Sequence, residues 1–315
     1  MKNTIINISD IDEKRNKKNH DEAETEFRTT SKGKKLVCVE NTQKLLNILG
    51  INVYYDIIKK RSFMESDIKK YNGDIIDYKA IGIVEEASKR NYFISKNTMI
   101  DHLLYLARDN SINKVLLYFK EAESKWDGVS RIDDVYNTLN SPMDRKLGLA
   151  YFTKWCIQAV RIAGNADGKM NQEFVLVLQG GQGVGKTTWL KMLFAHLLDY
   201  FKEGLELRPD NKDCILEFAS HFVVELGELD ATMKHEQAQL KAFITRSIDE
   251  VRKPFERLSE RFPRQTIMCA TVNEEEFLKD KTGNRRYAII KTGDTIDRLT
   301  HIDLEQFWGE ISTLA

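Results

Sequence analysis

The stretch FVLVLQGGQGVGKTTWLKMLFAHLL, residues 174–198, decides the reading of this chain. An unbroken apolar run meets a glycine-rich loop, then Lys186, Thr187 and Thr188, then apolar positions at helical spacing. Within it, Gly180-Gly181-Gln182-Gly183-Val184-Gly185-Lys186-Thr187 satisfies the pattern G-x-x-x-x-G-K-[ST] in full. Glycines at these positions let the backbone curl until its N–H groups converge into an anion nest. The helix that follows adds the positive end of its dipole. Lys186 is expected to reach the β- and γ-phosphates of a nucleotide, with the Thr187 hydroxyl on Mg2+. Gly180 through Thr188 are thus the candidate nucleotide-binding residues.

Such a loop needs an acid at the end of a neighbouring strand. HFVVELGELD (221–230) supplies a short apolar strand, expected over 222–225, that opens onto Glu225 and Glu228. Spacing leaves open which of the two holds the Mg2+ shell and which activates water. QTIMCATVNEEEFLKDKTGNRRY (265–287) contains a second apolar strand, expected over 266–271, ending in Thr271 and Asn273. A polar amide at a strand tip can hold an attacking water and touch a γ-phosphate. Arg285 and Arg286 follow a Thr-Gly-Asn turn, and a rigid turn that presents guanidinium suits an arginine finger.

Around this centre the chain alternates strand and helix. RKLGLAYFTKWCIQAVRIAG (145–164) reads as a long buried helix closed by Gly164, a helix is expected near 232–246, and a short strand near 287–290. This alternation predicts an α/β sheet with helices on both faces, occupying residues 125–315. Residues 36–124 read as a smaller, mostly helical N-terminal domain. TQKLLNILG stops at Gly50, NTMIDHLLYLARDN has Asn97 or Thr98 as its expected N-cap, and INVYYDIIKK is the one strand-like run. Residues 1–35, with nine Lys/Arg and seven Asp/Glu, read as a flexible charged leader.

The 315-residue chain is 42% apolar and 30% charged, enough for a sizeable core, and its 48 basic and 48 acidic residues exclude a broadly basic protein. Any nucleic-acid surface must be local. The opening MKNTIINISDIDEKR lacks an apolar signal region, and no run is long enough to span a membrane, so no membrane partner is expected. Cys38, Cys156, Cys214 and Cys269 are scattered without metal spacing and read as reduced thiols of a cytoplasmic protein.

With these pieces in order, the sequence resembles the virulence-associated protein E family (VapE/VirE), P-loop ATPases of mobile elements related to superfamily-3 helicases. The matching stretches are WDGVSR, LQGGQGVGKTTWL, VVELGELD, LKAFITRSIDEVRKPF, FPRQ and ATVNEEEFLKDKTGNRRY, which span about residues 126–290. The resemblance implies an AAA+-like, superfamily-3 helicase-like P-loop NTPase core that uses ATP and Mg2+ and acts as a homo-oligomeric ring, a hexamer. It puts Lys186 and Thr187 on the Walker A positions, Glu225 and Glu228 on the Walker B region, Asn273 on sensor 1, and Arg285 or Arg286 on a finger reaching into the neighbouring subunit. The implied role is a helicase or replication-initiation ATPase for phage, prophage or pathogenicity-island DNA, single-stranded or forked, with a replication initiator or primase as partner.

Lys241, Arg246, Arg252, Lys253, Arg257, Arg261 and Arg264 lie between the Glu225 strand and the Asn273 strand. In related helicases that insertion carries a hairpin lining the central channel. Lys241, Arg252, Lys253 and Arg257 are accordingly the expected DNA-binding residues, tracking phosphates without reading sequence. The competing reading is an ATP-binding oligomeric regulator or assembly factor that acts on a protein partner without unwinding DNA.

Overall fold

The computed structural model describes residues 26–227, 242–251, 259–273 and 284–315. The chain divides after Lys114 into two compact units.

In the first unit, α1 (Val39–Ile48) buries Leu45 and Leu46. It stops before Gly50, whose φ of 61° is left-handed and costs glycine nothing. The β-branched and aromatic run forms β1 (Ile51–Asp56), and β2 (Arg61–Ser66) folds back on it with Phe63 opposite Tyr54. Two short strands, β3 (Gly73–Asp74) and β4 (Ser111–Ile112), complete the sheet order β3-β2-β1-β4. The helices α2 (Asp77–Lys89) and α3 (Lys96–Asp109) pack Ile83, Met99 and Leu103 into one core with Leu45, Val53 and Met64.

Helices supply most of the regular structure of this unit, around a four-stranded sheet in which only β1 reads as a strand from the sequence. RSFMES lacks the alternation that announces a strand, and its pairing to β1 makes it one. Ser95, rather than Asn97 or Thr98, caps α3, its hydroxyl accepting from the Thr98 N–H at 3.1 Å. The leader also ends before residue 35: Phe27 packs on Tyr92 at 5.6 Å between ring centroids, and Thr29 bridges Lys35. Residues 1–25 of that leader lie outside the described residues.

The second unit opens with α4 (Lys114–Lys125), which the sequence assigned to the N-terminal domain. Its buried face decides otherwise, since the Phe119 ring lies 5.7 Å from Phe222 and 5.1 Å from Trp308. After α5 (Ile132–Asn137) comes α6 (Arg145–Ala163), which buries Phe152, Trp155 and Ile162. The strands β5 (Val175–Gln179), β6 (Phe201–Leu205), β7 (Val223–Leu226), β10 (Ile267–Val272) and β11 (Tyr287–Lys291) form a sheet in the order β11-β5-β10-β7-β6. Every neighbouring pair is parallel. β5 and β7 are buried throughout, as strands covered on both faces must be. Between β7 and β10 the chain forms a separate antiparallel pair, β8 (Ile248–Val251) and β9 (Glu260–Pro263).

The helices α7 (Lys186–Leu193), α8 (Lys212–Ala219) and α9 (Leu304–Leu314) complete the unit. Three buried tryptophans lock the layers, and each indole N–H has an acceptor: Trp155 on Met268 O at 3.0 Å, Trp189 on Thr138 Oγ1 at 2.8 Å, and Trp308 on Leu193 O at 2.9 Å. The helix expected near 232–246 falls mostly outside the described residues, which show helix at 242–244. Among the described residues no helix is long and apolar enough to cross a membrane.

Candidate functional site

The strand order fixes where chemistry can occur. The chain leaves β5, builds β6, β7 and β10 on one side, and places β11 on the other. Parallel sheets bind ligands outside the carboxyl ends of their strands, at the point where such an order reverses. That point here is the tip of β5, where the glycine-rich loop begins.

The loop needs its glycines for separate reasons. Gly183 and Gly185 have φ of 81° and 97°, a left-handed backbone that side chains disfavour. Gly180 is confined by packing instead, because a Cβ there would overlap the Thr292 hydroxyl. Gly181, Gln182, Gly183 and Thr188 are exposed, while Val184 and Gly185 are half-buried.

From this loop Lys186 turns inward and is only 6% exposed. Its ammonium donates to Gly180 O at 2.8 Å, Gly181 O at 2.7 Å and Asn273 Oδ1 at 2.9 Å. Burial lowers its pKa from the usual lysine value, so the site already costs the charge part of its hydration. Thr187 donates to Glu225 Oε1 at 2.6 Å, and Thr271 donates to the same oxygen at 3.0 Å. Glu225 is 3% exposed, and burial pushes its carboxyl above the usual range despite these two hydroxyl donors. Four residues from three elements therefore converge: Lys186 and Thr187 from α7, Glu225 from β7 and Asn273 just past β10.

The donor set suits Mg2+. Among the described residues no group of three or more His, Cys, Asp or Glu could hold a metal by itself. The Thr187 hydroxyl and the Glu225 carboxylate are hard oxygen ligands on adjacent elements, 2.6 Å apart. Mg2+ is commonly held this way, by one or two carboxylates with substrate phosphates and water supplying the rest.

Arg285 and Arg286 are not brought to this cluster. They occupy a short 3-10 turn, Asn284–Arg286, at the start of β11, and Tyr287 pairs with Val175 at the opposite end of β5 from the loop. A five-residue strand, about 16 Å, separates them from the glycine-rich loop of their own chain. Glu228, Lys241, Arg252, Lys253 and Arg257 lie outside the described residues. Arg246 and Arg261 are exposed, but Arg264, counted in the basic insertion, is 2% exposed and engaged in the interior.

Sequence reasoning passed over the roles of Thr271 and Thr292. Thr271 meets Glu225 because Cys269 pairs with Glu225 and Thr271, two residues on, shares that face, a register that local pattern does not record. No sequence signal marks Thr292.

A model of the virulence-associated protein E-like domain matches residues 120–314. Among solved structures, an A-form apo structure of the NrS-1 C-terminal region superposes with a TM-score of 0.53 at 14% identity, covering 86% of this chain and 68% of that one. A second apo structure, of NrS-1 residues 305–718, gives 0.51 at 13% identity, with 86% and 66% covered. At these identities the likeness is one of fold, and the present chain spans about two thirds of the length of either neighbour. Among curated proteins none matches.

Proposed function

The chain belongs to the virulence-associated protein E-like family, and on that footing we propose that it is an ATP-hydrolysing DNA translocase of the helicase type, serving replication of a phage, prophage or pathogenicity island. The convergence of Lys186, Thr187, Glu225 and Asn273 at the carboxyl ends of β5, β7 and β10 carries the proposal.

In this reading Gly180–Gly185 cradle the β-phosphate of ATP with backbone N–H groups, and Lys186 exchanges the Gly180 and Gly181 carbonyls for β- and γ-phosphate oxygens. Thr187 and Glu225 would hold Mg2+, which would supply charge neutralisation to the transferring phosphoryl group. With Glu225 committed there, Glu228 takes the proton of the attacking water. Asn273 orients that water and keeps Lys186 aligned. Arg285 or Arg286 serves a neighbouring subunit, since either lies a strand's length from its own loop. That distance favours a ring of copies, a hexamer by family resemblance, over a self-contained site.

The object moved is single-stranded or forked DNA. The β8–β9 pair is inserted between β7, which bears Glu225, and β10, which leads to Asn273, and the sequence joining its two strands carries Arg252, Lys253 and Arg257. Lys241, at the start of the insertion, joins them. Such a ribbon tracks phosphates and confers salt-dependent, sequence-tolerant binding. A replication initiator or primase is the partner this role calls for, and the cytoplasm its compartment.

Strand displacement from a labelled fork tests the reading. ATP-dependent unwinding that disappears in Lys186→Ala supports it. ATP hydrolysis with neither unwinding nor translocation leaves an oligomeric regulator acting on a protein.

A further inference from the structure

Among the described residues, one ion pair has both side chains only 1% exposed: Arg264 with Asp249. It is bidentate, with Arg264 Nε donating to Asp249 Oδ2 at 2.9 Å and Nη2 donating to Oδ1. The remaining guanidinium nitrogen, Nη1, donates to Phe243 O and to Ile244 O at 3.4 Å, carbonyls at the end of the 242–244 helical turn. The Phe243 and Phe218 rings lie 4.2 Å and 5.0 Å from the guanidinium carbon. Desolvating two charges is expensive, and well-packed apolar residues of similar volume usually do as well or better. A pair kept at that cost calls for a purpose beyond stability.

Its position supplies one. Asp249 sits on β8 and Arg264 directly follows β9, so the pair ties the two strands where they leave the core. The Arg264 N–H donates to Ser247 O at 2.8 Å, and its carbonyl accepts from Asn165 Nδ2 at 3.0 Å. Gln265 donates to Ala163 O at 2.9 Å. Two residues later β10 begins, and it ends at Thr271 and Asn273, which touch Glu225 and Lys186. One six-residue strand, about 20 Å long, thus has the nucleotide cluster at one end and the base of the basic ribbon at the other.

Resting on the function proposed above, we infer that Asp249 and Arg264 are positioning residues that couple the nucleotide state at the tip of β10 to the β8–β9 ribbon. They contact neither ATP nor DNA. Their work is to make β8 and β9 move as one body with β10, so that a shift sensed by Asn273 is delivered to the base of that pair. Coupling between sites is carried by chains of packed and hydrogen-bonded groups, and these contacts form one.

The test uses the full chain, with a thermal melt for each variant and three readouts: basal ATP hydrolysis, hydrolysis with saturating single-stranded DNA, and anisotropy of a labelled oligonucleotide. Asp249→Asn is expected to keep basal hydrolysis within about twofold and DNA affinity within about threefold, while the stimulation by DNA falls about tenfold. Arg264→Lys, which keeps the charge but loses the fork, is expected to fall between this variant and wild type. Stimulation equal to wild type in a folded variant overturns the inference. Loss of the folded state in both variants makes the pair a strut of the core and overturns it as well. A wild type indifferent to DNA removes the functional reading itself, and the inference with it.

Discussion

The Thr187 hydroxyl donates a 2.6 Å hydrogen bond to Oε1 of Glu225, joining the helix that follows the glycine-rich loop to the strand two places away in the sheet. Thr271 donates to the same oxygen from the strand between them, so a single carboxylate oxygen gathers three elements. The carboxylate is buried, and both donors are neutral.

That burial has a consequence for stability. It raises the Glu225 carboxyl above the usual range, so the folded state binds this proton more tightly than the unfolded state. The contribution of Glu225 is therefore most favourable below its unfolded pKa and is lost as pH rises through the higher folded value. Glu225→Gln keeps an acceptor for both hydroxyls and removes the charge. It is expected to raise Tm by a few degrees at neutral pH, to lose that part of the wild-type decline with pH, and, by weakening the hold on Mg2+, to slow hydrolysis by a factor of about 100 or more. Thermal melts from pH 4 to 8, paired with phosphate-release rates, check both halves. A variant less stable than wild type at pH 8 contradicts the account.

Gly180 is required by its neighbour, not by its dihedral angles. Gly180→Ala drives a methyl group into the Thr292 hydroxyl and is expected to destabilise the unit by about 1–3 kcal/mol, with weakened nucleotide binding. The double variant Gly180→Ala/Thr292→Ala is expected to recover most of both losses, because it removes the clashing oxygen. Denaturant melts and titration with a fluorescent ATP analogue give the coupling energy directly. Strict additivity of the two substitutions would refute the steric cause.

Asn273 holds the Lys186 ammonium at 2.9 Å without adding charge. Asn273→Ala is expected to lower kcat about 10- to 100-fold while changing the KM for ATP less than about threefold, the mark of an interaction that matters in the transition state. An effect confined to KM would instead make the amide a ground-state binding group.

The register of β11 against β5 holds Arg285 and Arg286 at the far end of the sheet from Lys186. Lys186→Ala and the double variant Arg285→Ala/Arg286→Ala are each expected to be nearly inactive alone. Mixed in equal amounts and allowed to exchange subunits, the lysine and arginine variants should recover roughly a quarter of wild-type hydrolysis, the share of interfaces that pair an intact loop with an intact finger. No recovery on mixing would place the arginine's role within its own subunit.

Much of this site is legible in the sequence because its strands are buried on both faces. Such strands read as continuous apolar runs, so β5, β7 and β10 stand out to within a residue or so of their observed ends, while β11, an edge strand with Lys291 exposed, shows as a shorter run. The insertion of β10 between β5 and β7 is not legible, since the order of parallel strands depends on crossovers that local pattern does not record. β6 also escapes: FKEGL is an edge strand, half-exposed and broken by Gly204 at a φ of 62°. The clearest misreading is Arg264. In sequence it adds to a run of positive charge, yet Asp249, fifteen residues earlier, takes that charge into the interior. Charge counts cannot separate a buried pair from an exposed patch when the partner is distant along the chain.

The most direct measurement is ATP hydrolysis with and without single-stranded DNA, for wild type, Lys186→Ala and Lys253→Ala. The account predicts strong stimulation by DNA in the wild type, its loss in Lys253→Ala, and no hydrolysis in Lys186→Ala. Lys186-dependent hydrolysis that is the same with and without DNA would contradict it.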